Sequence, residues 1–358
     1  MNSSGITERM MNLAYVLTSR MIGGLAQVNI MVSTLLSGMS GSANADVAMM
    51  SKIIYPDMVK QKYSPGFSAA ITAASSLISP LIPPGIALII FAFVTNISTG
   101  RLFMGAIIPG FLLAVGLMIT TYFISKKRNY GKLSEEEVRE AGSLRENFIK
   151  AIPALIMPLI IILGIRFGVF TPSEAGAFVV FYSLFLGFFV YKELTIKKLL
   201  EGIKDTVYLT SAILLIVAAS SAFSWILTIE KIPHQFADLL LNITESPYLM
   251  LIVIFVFLII VGLFIEGTAS VIILAPMFMP IVNQLGIDPF HFGVVMVMAV
   301  NLGGITPPVG TVMFTTCAVT KVPISEFTKE VIPFLITYVA VVLLIIFLPF
   351  TVTLLSNL

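Results

Sequence analysis

Two stretches of this sequence place consecutive prolines among small polar residues. They are Ser79-Pro80-Leu81-Ile82-Pro83-Pro84-Gly85 and Gly303-Gly304-Ile305-Thr306-Pro307-Pro308-Val309-Gly310. A proline has no amide donor, and its ring clashes with the carbonyl four residues back. Two in succession leave several carbonyls without helical partners. Free carbonyls and Ser or Thr hydroxyls are hard oxygen ligands, suited to a small cation such as sodium. The half-helix that follows points its free amides and positive dipole end at an anion. Two further stretches are rich in small polar residues, Ser37-Gly38-Met39-Ser40-Gly41-Ser42-Ala43-Asn44-Ala45-Asp46 and Glu266-Gly267-Thr268-Ala269-Ser270. Four such elements meeting at one place make two cation sites and one anion site, the chemistry of sodium-coupled carboxylate binding.

Composition sets the medium in which those breaks must exist. The chain has 358 residues, of which 58% are hydrophobic and only 11% charged, against roughly 25% charge in a soluble domain. Its mean hydropathy is +1.01. This excludes an ordinary soluble enzyme, and a net charge of +2 excludes the basic field of a nucleic-acid binder. One cysteine, Cys317, and two histidines, His234 and His291, exclude a disulfide framework and any zinc cluster of the usual ligand count. The reading is an all-α polytopic membrane protein.

In lipid an unpaired backbone group costs several kcal/mol, so a helix is interrupted only beside protein, water or a ligand. Continuous spans are expected at Phe103–Ile124, Ile149–Phe167, Ser173–Tyr191, Val207–Ile229 and Val331–Leu355. Phe67–Thr95 and Phe292–Thr320 read as helices broken at their double prolines. Ile22–Lys60 and Tyr248–Gln284 read as re-entrant helical hairpins with small polar tips. The polar start, Met1-Asn2-Ser3-Ser4-Gly5, does not read as a cleavable signal peptide. Basic residues crowd the loop holding Lys126-Lys127-Arg128, Lys132, Arg139, Arg145 and Lys150, and another holding Lys192, Lys197, Lys198 and Lys204. The positive-inside rule makes both loops cytoplasmic. Threading the chain from there leaves only Arg101, Arg166 and Lys231 outside, of 21 Lys and Arg. The Glu135-Glu136-Glu137 run reads as a solvated helix in the first of these loops.

A shift of 224 positions superimposes Pro56 on Pro280, Pro65 on Pro289, Pro83-Pro84 on Pro307-Pro308, and Pro109 on Pro333. Gly41-Ser42-Ala43 aligns with Gly267-Thr268-Ala269 after a two-residue gap. The chain thus reads as two copies of one unit (hairpin, broken helix, straight helix), and the three spans between them invert the second copy. That is the sequence signature of a secondary transporter. The domains that follow are an N-terminal amphipathic or connecting segment (1–21), a first repeat (22–124), a cytoplasmic loop (125–148), connecting helices (149–246) and a second, inverted repeat (247–358). Among single residues, Asp46 reads as complementing the dipole of the helix after the first tip. Glu266, an acid in an apolar run at a hairpin tip, is harder than Asp46 to read as packing alone. Asn301 is either an interhelical hydrogen-bonder or a ligand, His234 and His291 read as interfacial, and Trp225 and the methionines read as packing.

These motifs resemble the large membrane subunit of the TRAP (tripartite ATP-independent periplasmic) transporters, the DctM-like permeases. The residues that carry the likeness are Ser3-Ser4-Gly5-Ile6-Thr7-Glu8-Arg9, Ser40 to Asp46, Ile82-Pro83-Pro84, Ile108-Pro109-Gly110, and the run from Gly286-Ile287-Asp288-Pro289 through Gly310. The family commonly has Ser after the first double proline, where Gly85 stands here. Family members carry several membrane helices before the motif that begins at Asn2, so the resemblance implies a chain lacking part of a scaffold. It also implies an elevator-type, sodium-driven importer of organic acids (C4-dicarboxylates, sialic acid or 2-oxo acids) in a bacterial inner membrane. The implied partners are a periplasmic DctP-like binding protein and a small four-helix DctQ-like membrane subunit.

On that view one sodium lies between the first tip and Ser79–Gly85, and the second between Gly267–Ser270 and Gly303–Gly310, with substrate between the tips. Ligand chemistry then assigns sodium to Ser40, Gly41, Ser42, Asn44, Ser79, Ile82, Pro83, Gly267, Thr268, Gly303, Thr306 and Pro307. It assigns substrate to Ser42, Ala43, Asn44, Pro84, Gly85, Thr268, Ala269, Ser270, Pro308 and Gly310. No cofactor is expected beyond sodium as coupling ion. A sodium–dicarboxylate symporter of related hairpin architecture, working without a binding protein, is the alternative. A channel lacks any ring of charge, and an enzyme lacks a nucleophile–base pair.

Overall fold

The computed structural model describes residues 5–18, 20–131, 142–230, 240–242 and 244–357. The Glu135-Glu136-Glu137 run, Lys231 and His234 lie outside them. Among the described residues every regular element is a helix. An amphipathic α1 (Ile6–Thr18) leads into α2 (Gly24–Ser40), α3 (Ala43–Ile53), α4 (Tyr55–Lys60), α5 (Pro65–Ser76), α6 (Ile86–Thr95) and α7 (Thr99–Lys127). Three connecting helices follow: α8 (Leu144–Arg166), α9 (Pro172–Phe185, extended by a π-helical turn to Val190) and α10 (Ile196–Ile229). The chain closes with α11 (Pro247–Gly262), α12 (Gly267–Gln284), α13 (Pro289–Gly303), α14 (Thr311–Thr320), α15 (Ile324–Phe347) and α16 (Phe350–Ser356).

Among the described residues six helices are long and apolar enough to cross a membrane, namely α7, α8, α9 with its π-turn, the first part of α10, α12 and α15. Their outward faces show why lipid is the natural solvent. On α7, Phe111, Val115, Ile119 and Phe123 recur every four residues and are all exposed, which puts them on one stripe of the helix. Leu102, Phe103, Ala106, Leu113 and Leu117 occupy the opposite, buried face.

Two details differ from the sequence expectation. The last span is not Val331–Leu355: α15 starts seven residues earlier, at Ile324, and stops at Phe347, because Pro349 cannot continue it and opens α16 instead. Trp225, read as packing, is 68% exposed among the described residues.

Adding 224 to the first residues of α3, α5, α6 and α7 gives 267, 289, 310 and 323. The helices at those places start at 267, 289, 311 and 324. Pro65 and Pro289 both sit in the first turn of their helices, where a missing amide costs nothing. Pro109 and Pro333 lie inside α7 and α15. Packing between the copies is reciprocal. Helix α12 packs on α6 while its counterpart α3 packs on α14, and α15 packs on α5 while its counterpart α7 packs on α13. Such exchange of roles is what a pseudo-two-fold relation between two copies produces.

The straight helices also tie the starts of the broken ones. Glu326 on α15 accepts a hydrogen bond from the Gly66 amide at the start of α5 (2.8 Å), satisfying one of the donors a helix N-terminus leaves free. Nearby, Arg128 pairs with Glu330 (2.8 Å) and lies over the Phe67 ring. At the other end, Arg101 on α7 lies 4.3 Å over Phe290 in the first turn of α13. Glu326→Ala is expected to cost about 1 kcal/mol of stability, as loss of an N-cap does, and Glu326→Gln less, because its amide oxygen still accepts. Thermal unfolding of the purified protein in one detergent would check the order.

Candidate functional site

Each break is shorter than the sequence suggests, because the helices run further into it. In the first tip only Gly41 and Ser42 leave the helical path; Ser37–Ser40 still belong to α2, and Ala43–Asp46 already form the first turn of α3. Gly41 adopts a left-handed conformation (φ +61°), and a Cβ there would stand 2.5 Å from the Pro84 carbonyl oxygen. Ser42 is the extended N-cap of α3, its hydroxyl accepting from the Ala45 amide. The second tip spans Leu263–Glu266, so Gly267–Ser270 form the first turn of α12 rather than the turn itself. Glu266 is the N-cap there, and its carboxylate accepts from the Ala269 amide (3.1 Å). Ser42 and Glu266 are 224 positions apart, as are Ala45 and Ala269. The structural match therefore pairs Ser42 with Glu266 without the gap that the glycine alignment introduces.

The broken helices interrupt in matching ways. After α5 the amides of Leu77, Ile78 and Ser79 reach back only three residues, and after α13 those of Gly304, Ile305 and Thr306 do the same. Both double prolines contain a cis peptide bond. In each copy the glycine before the second half-helix has no room for a side chain. A Cβ on Gly85 would overlap the Pro80 carbonyl, and one on Gly310 would lie 2.6 Å from the Gly304 carbonyl oxygen. The absent hydroxyl at position 85 is thus excluded by the local backbone.

Tips and breaks are joined pairwise. The Ile86 amide, first in α6, donates to the Gly41 carbonyl (3.1 Å). In the second copy Gly262 and Gly303 bring their backbones together so closely that a Cβ on either would collide with the other chain segment. Asn301 donates to the Val297 carbonyl (2.7 Å), leaving its Oδ1 beside Gly267.

All four elements then border one cavity. Gly41, Ser42, Ala43 and Asn44 face Glu266, Gly267 and Thr268, with Pro80, Asn301 and Gly304 from the broken helices and Thr311 from α14 around them. The space is about 30 Å³, enough for a water molecule or a small ion and far below the roughly 300 Å³ and upward of sites for organic ligands.

The remaining sequence-assigned residues stand back from this cavity. Ser40 turns its hydroxyl to the Ser42 carbonyl (3.3 Å) and borders a separate small pocket against α1. Ile82 packs on Gly110 of α7. Pro83 and Pro84 present their carbonyls toward Gly38 and Gly41. Ala269 and Ser270 lie in the first turn of α12, where the Ser270 hydroxyl points to the Ile265 carbonyl. The Thr306 hydroxyl donates to the Leu302 carbonyl (2.8 Å), and Pro307 and Pro308 lie at the more exposed edge of the second break. Ser79 is fully buried, and its hydroxyl has no hydrogen-bond partner.

Asp46 departs most from its sequence reading. It does sit in the first turn of α3, but it is fully buried and neither carboxylate oxygen has a hydrogen-bond partner of normal geometry; the Ser33 hydroxyl is the polar group beside it. Asn44 Oδ1 is likewise buried and unpartnered. Behind them runs a polar seam: Asn29 donates to Thr72 (2.7 Å) and accepts from Ser75 (2.9 Å), and Ser33 lies 3.3 Å from Ser75. The equivalent positions of the second copy are Val253, Met296, Ala299 and Phe257. His291 is also internal rather than interfacial, 2% exposed with Nε2 2.9 Å from the Ile345 carbonyl.

The glycine contacts carry a test. Gly41→Ala and Gly303→Ala are expected to destabilise the fold or lower its yield, since each added Cβ meets backbone rather than a flexible side chain. Gly176→Ala, with open space around it on α9, is expected to be neutral or stabilising by up to about 1 kcal/mol. Yield and melting temperature of the three variants, purified side by side, would decide.

Comparison with known proteins finds similarity along nearly the whole chain. Residues 1–351 match the family model described as the tripartite ATP-independent periplasmic transporter, DctM component. The sialic acid TRAP transporter large permease protein of Vibrio cholerae is 40% identical over 356 residues, which is 99% of this chain and 82% of the relative. The 2,3-diketo-L-gulonate TRAP transporter large permease protein of Escherichia coli is 34% identical over 349 residues (98% and 81%). The C4-dicarboxylate TRAP transporter large permease protein of Pseudomonas aeruginosa is 33% identical over 350 residues (98% and 81%). With a family match across nearly its full length, this chain belongs to the DctM family, the large permease component of TRAP transporters.

Proposed function

We propose that this permease imports an organic acid, coupled to sodium entry, after delivery by a periplasmic binding protein and in complex with a small DctQ-like membrane subunit. The single observation that carries the coupling is the set of buried, unpartnered oxygens behind the first tip. Asn44 Oδ1, the Ser79 hydroxyl and both oxygens of Asp46 have no hydrogen-bond partner of normal geometry, with the Ser33 hydroxyl the polar group beside Asp46. An uncompensated carboxylate in an apolar interior costs several kcal/mol, and a bound monovalent cation removes that cost. The carboxylate belongs to the first copy alone, since Ser270 holds its place in the second.

The anionic substrate would sit between the tips, where the starts of α3 and α12 point free amides at one cavity. Glu266 at the rim of that cavity disfavours a bare anion, so its carboxylate must turn toward a cation or a substrate hydroxyl as the acid binds. Because the cavity is too small for an organic acid, binding requires the tips to separate. Helices α2–α3 and α11–α12 would act as re-entrant hairpins, and the two repeats, inverted across the membrane, would carry the site between its faces as an elevator. The chemical class of cargo follows the named relatives: a sialic acid, a sugar-derived keto acid or a C4-dicarboxylate.

Uptake into proteoliposomes that hold the permease and its small subunit, with binding protein outside, is expected to require an inward sodium gradient. Asp46→Asn is expected to lower sodium-driven uptake more than tenfold at unchanged membrane abundance. Ser42→Ala is expected to raise the sodium concentration for half-maximal uptake. Uptake that is indifferent to sodium, or that proceeds equally without binding protein, would overturn the reading.

A further inference from the structure

The positive-inside threading leaves three of the 21 basic residues opposite the basic loops, and two of these, Arg101 and Arg166, meet in one cleft. It has a volume of about 480 Å³ and lies between the start of α7, the end of α8 and α16. Gly100 sets this geometry: a Cβ there would stand 2.9 Å from Ile165, so the two arginine-bearing helix ends run in contact. No carboxylate lines the cleft among the described residues.

The two guanidiniums are held differently. Arg101 is braced, with Nε donating to the Ser356 carbonyl (2.9 Å), Nη2 donating to Asn357 Oδ1 (2.6 Å), and its plane over Phe290. It is nonetheless a cation in the first turn of a helix, where the dipole opposes it. Arg166 is half-buried and makes no hydrogen bond or ion pair among the described residues. Around them the walls are apolar, with Met104, Ile165 and Leu355 in the cleft and Phe167, 72% exposed, at its edge. A pair of guanidiniums at the ends of membrane-crossing helices, above an apolar wall and with no carboxylate beside them among the described residues, matches a phosphate carried on an acyl chain. Arginine binds phosphate oxygens in a planar fork, and basic pockets between membrane helices recognise lipid headgroups.

We propose that this cleft binds the phosphate headgroup of an anionic phospholipid from the leaflet opposite the basic loops. Arg166 supplies the free guanidinium, and Arg101, positioned by α16, supplies the second. The lipid thereby ties the connecting helix α8 to α7 of the first copy and α16 at the end of the second.

The test is lipid retention by the purified full-length chain, read by native mass spectrometry after exchange into detergent with phosphatidylglycerol, phosphatidylcholine or diacylglycerol. Wild type is expected to retain phosphatidylglycerol in preference to phosphatidylcholine, and diacylglycerol least. Arg166→Gln is expected to lower phosphatidylglycerol retention about fivefold, the scale of one basic residue at a membrane surface, and Arg166→Lys to lower it less. Lys127→Gln, at the far end of α7, is expected to leave it unchanged. Equal retention by wild type and Arg166→Gln would overturn the proposal, as would equal loss in Lys127→Gln. Displacement of the lipid by inorganic phosphate at matching concentration would assign the site to free phosphate and overturn the lipid reading.

Discussion

A backbone amide or carbonyl that loses its helical partner inside an apolar interior must find another, because neither lipid nor packed hydrocarbon can supply one. This chain breaks four helices where it can least tolerate breaking them, and each break finds its partner in another. The first tip offers the Gly41 carbonyl to the start of α6. The second tip presses Gly262 against Gly303, and within the second break the Gly304 carbonyl accepts from both Val312 and Met313. Glycine recurs at these places for a steric reason: backbone must meet backbone, and a Cβ would stand between them.

Duplication makes this arrangement economical. One helical layout, used twice with the roles of its elements exchanged, places both tips and both breaks around a single cavity. The copies then diverge in their interiors. The first buries a seam of Asn29, Ser33, Thr72 and Ser75 behind Asp46, while the second fills the same positions with Val253, Phe257, Met296 and Ala299. A satisfied polar seam in a low-dielectric interior fixes the relative placement of the helices that share it. It also holds Ser33 beside the one carboxylate that the first copy buries near its tip. The two halves of the site are therefore alike in backbone and unlike in charge.

The connecting helices have a different character. Helices α8, α9 and α10 keep many of their large apolar side chains exposed, among them Leu159, Phe181, Leu214 and Trp225. Their hold on the rest runs mainly through α8. At one end Arg9 of α1 pairs with Glu193, after the π-turn of α9, and lies over Tyr191. At the crossing of α2 and α8, Gly38 meets Pro158. Helix α8 also packs along α1 and against α7, while many side chains on the outer faces of the connecting helices stay exposed.

Much of this was legible in the sequence, because it follows from local covalent chemistry. Proline cannot continue a helix whatever surrounds it, so the double prolines, Pro65 and Pro289 marked breaks and starts directly, and hydrophobic length marked the spans. The 224-residue shift paired the copies. What the local sequence could not decide was which polar group faces which. Ser40 and Ser42 are two residues apart, yet one hydroxyl turns to the backbone while the other caps α3 at the cavity. Asp46 reads as an ordinary dipole partner until α2 and α5 close over it. His291 reads as interfacial until α15 covers it, and Trp225 reads as packing until the described residues leave it exposed. Burial and partnership are set by the long-range reciprocal packing of the two copies, a property of the whole chain that no window of its sequence contains.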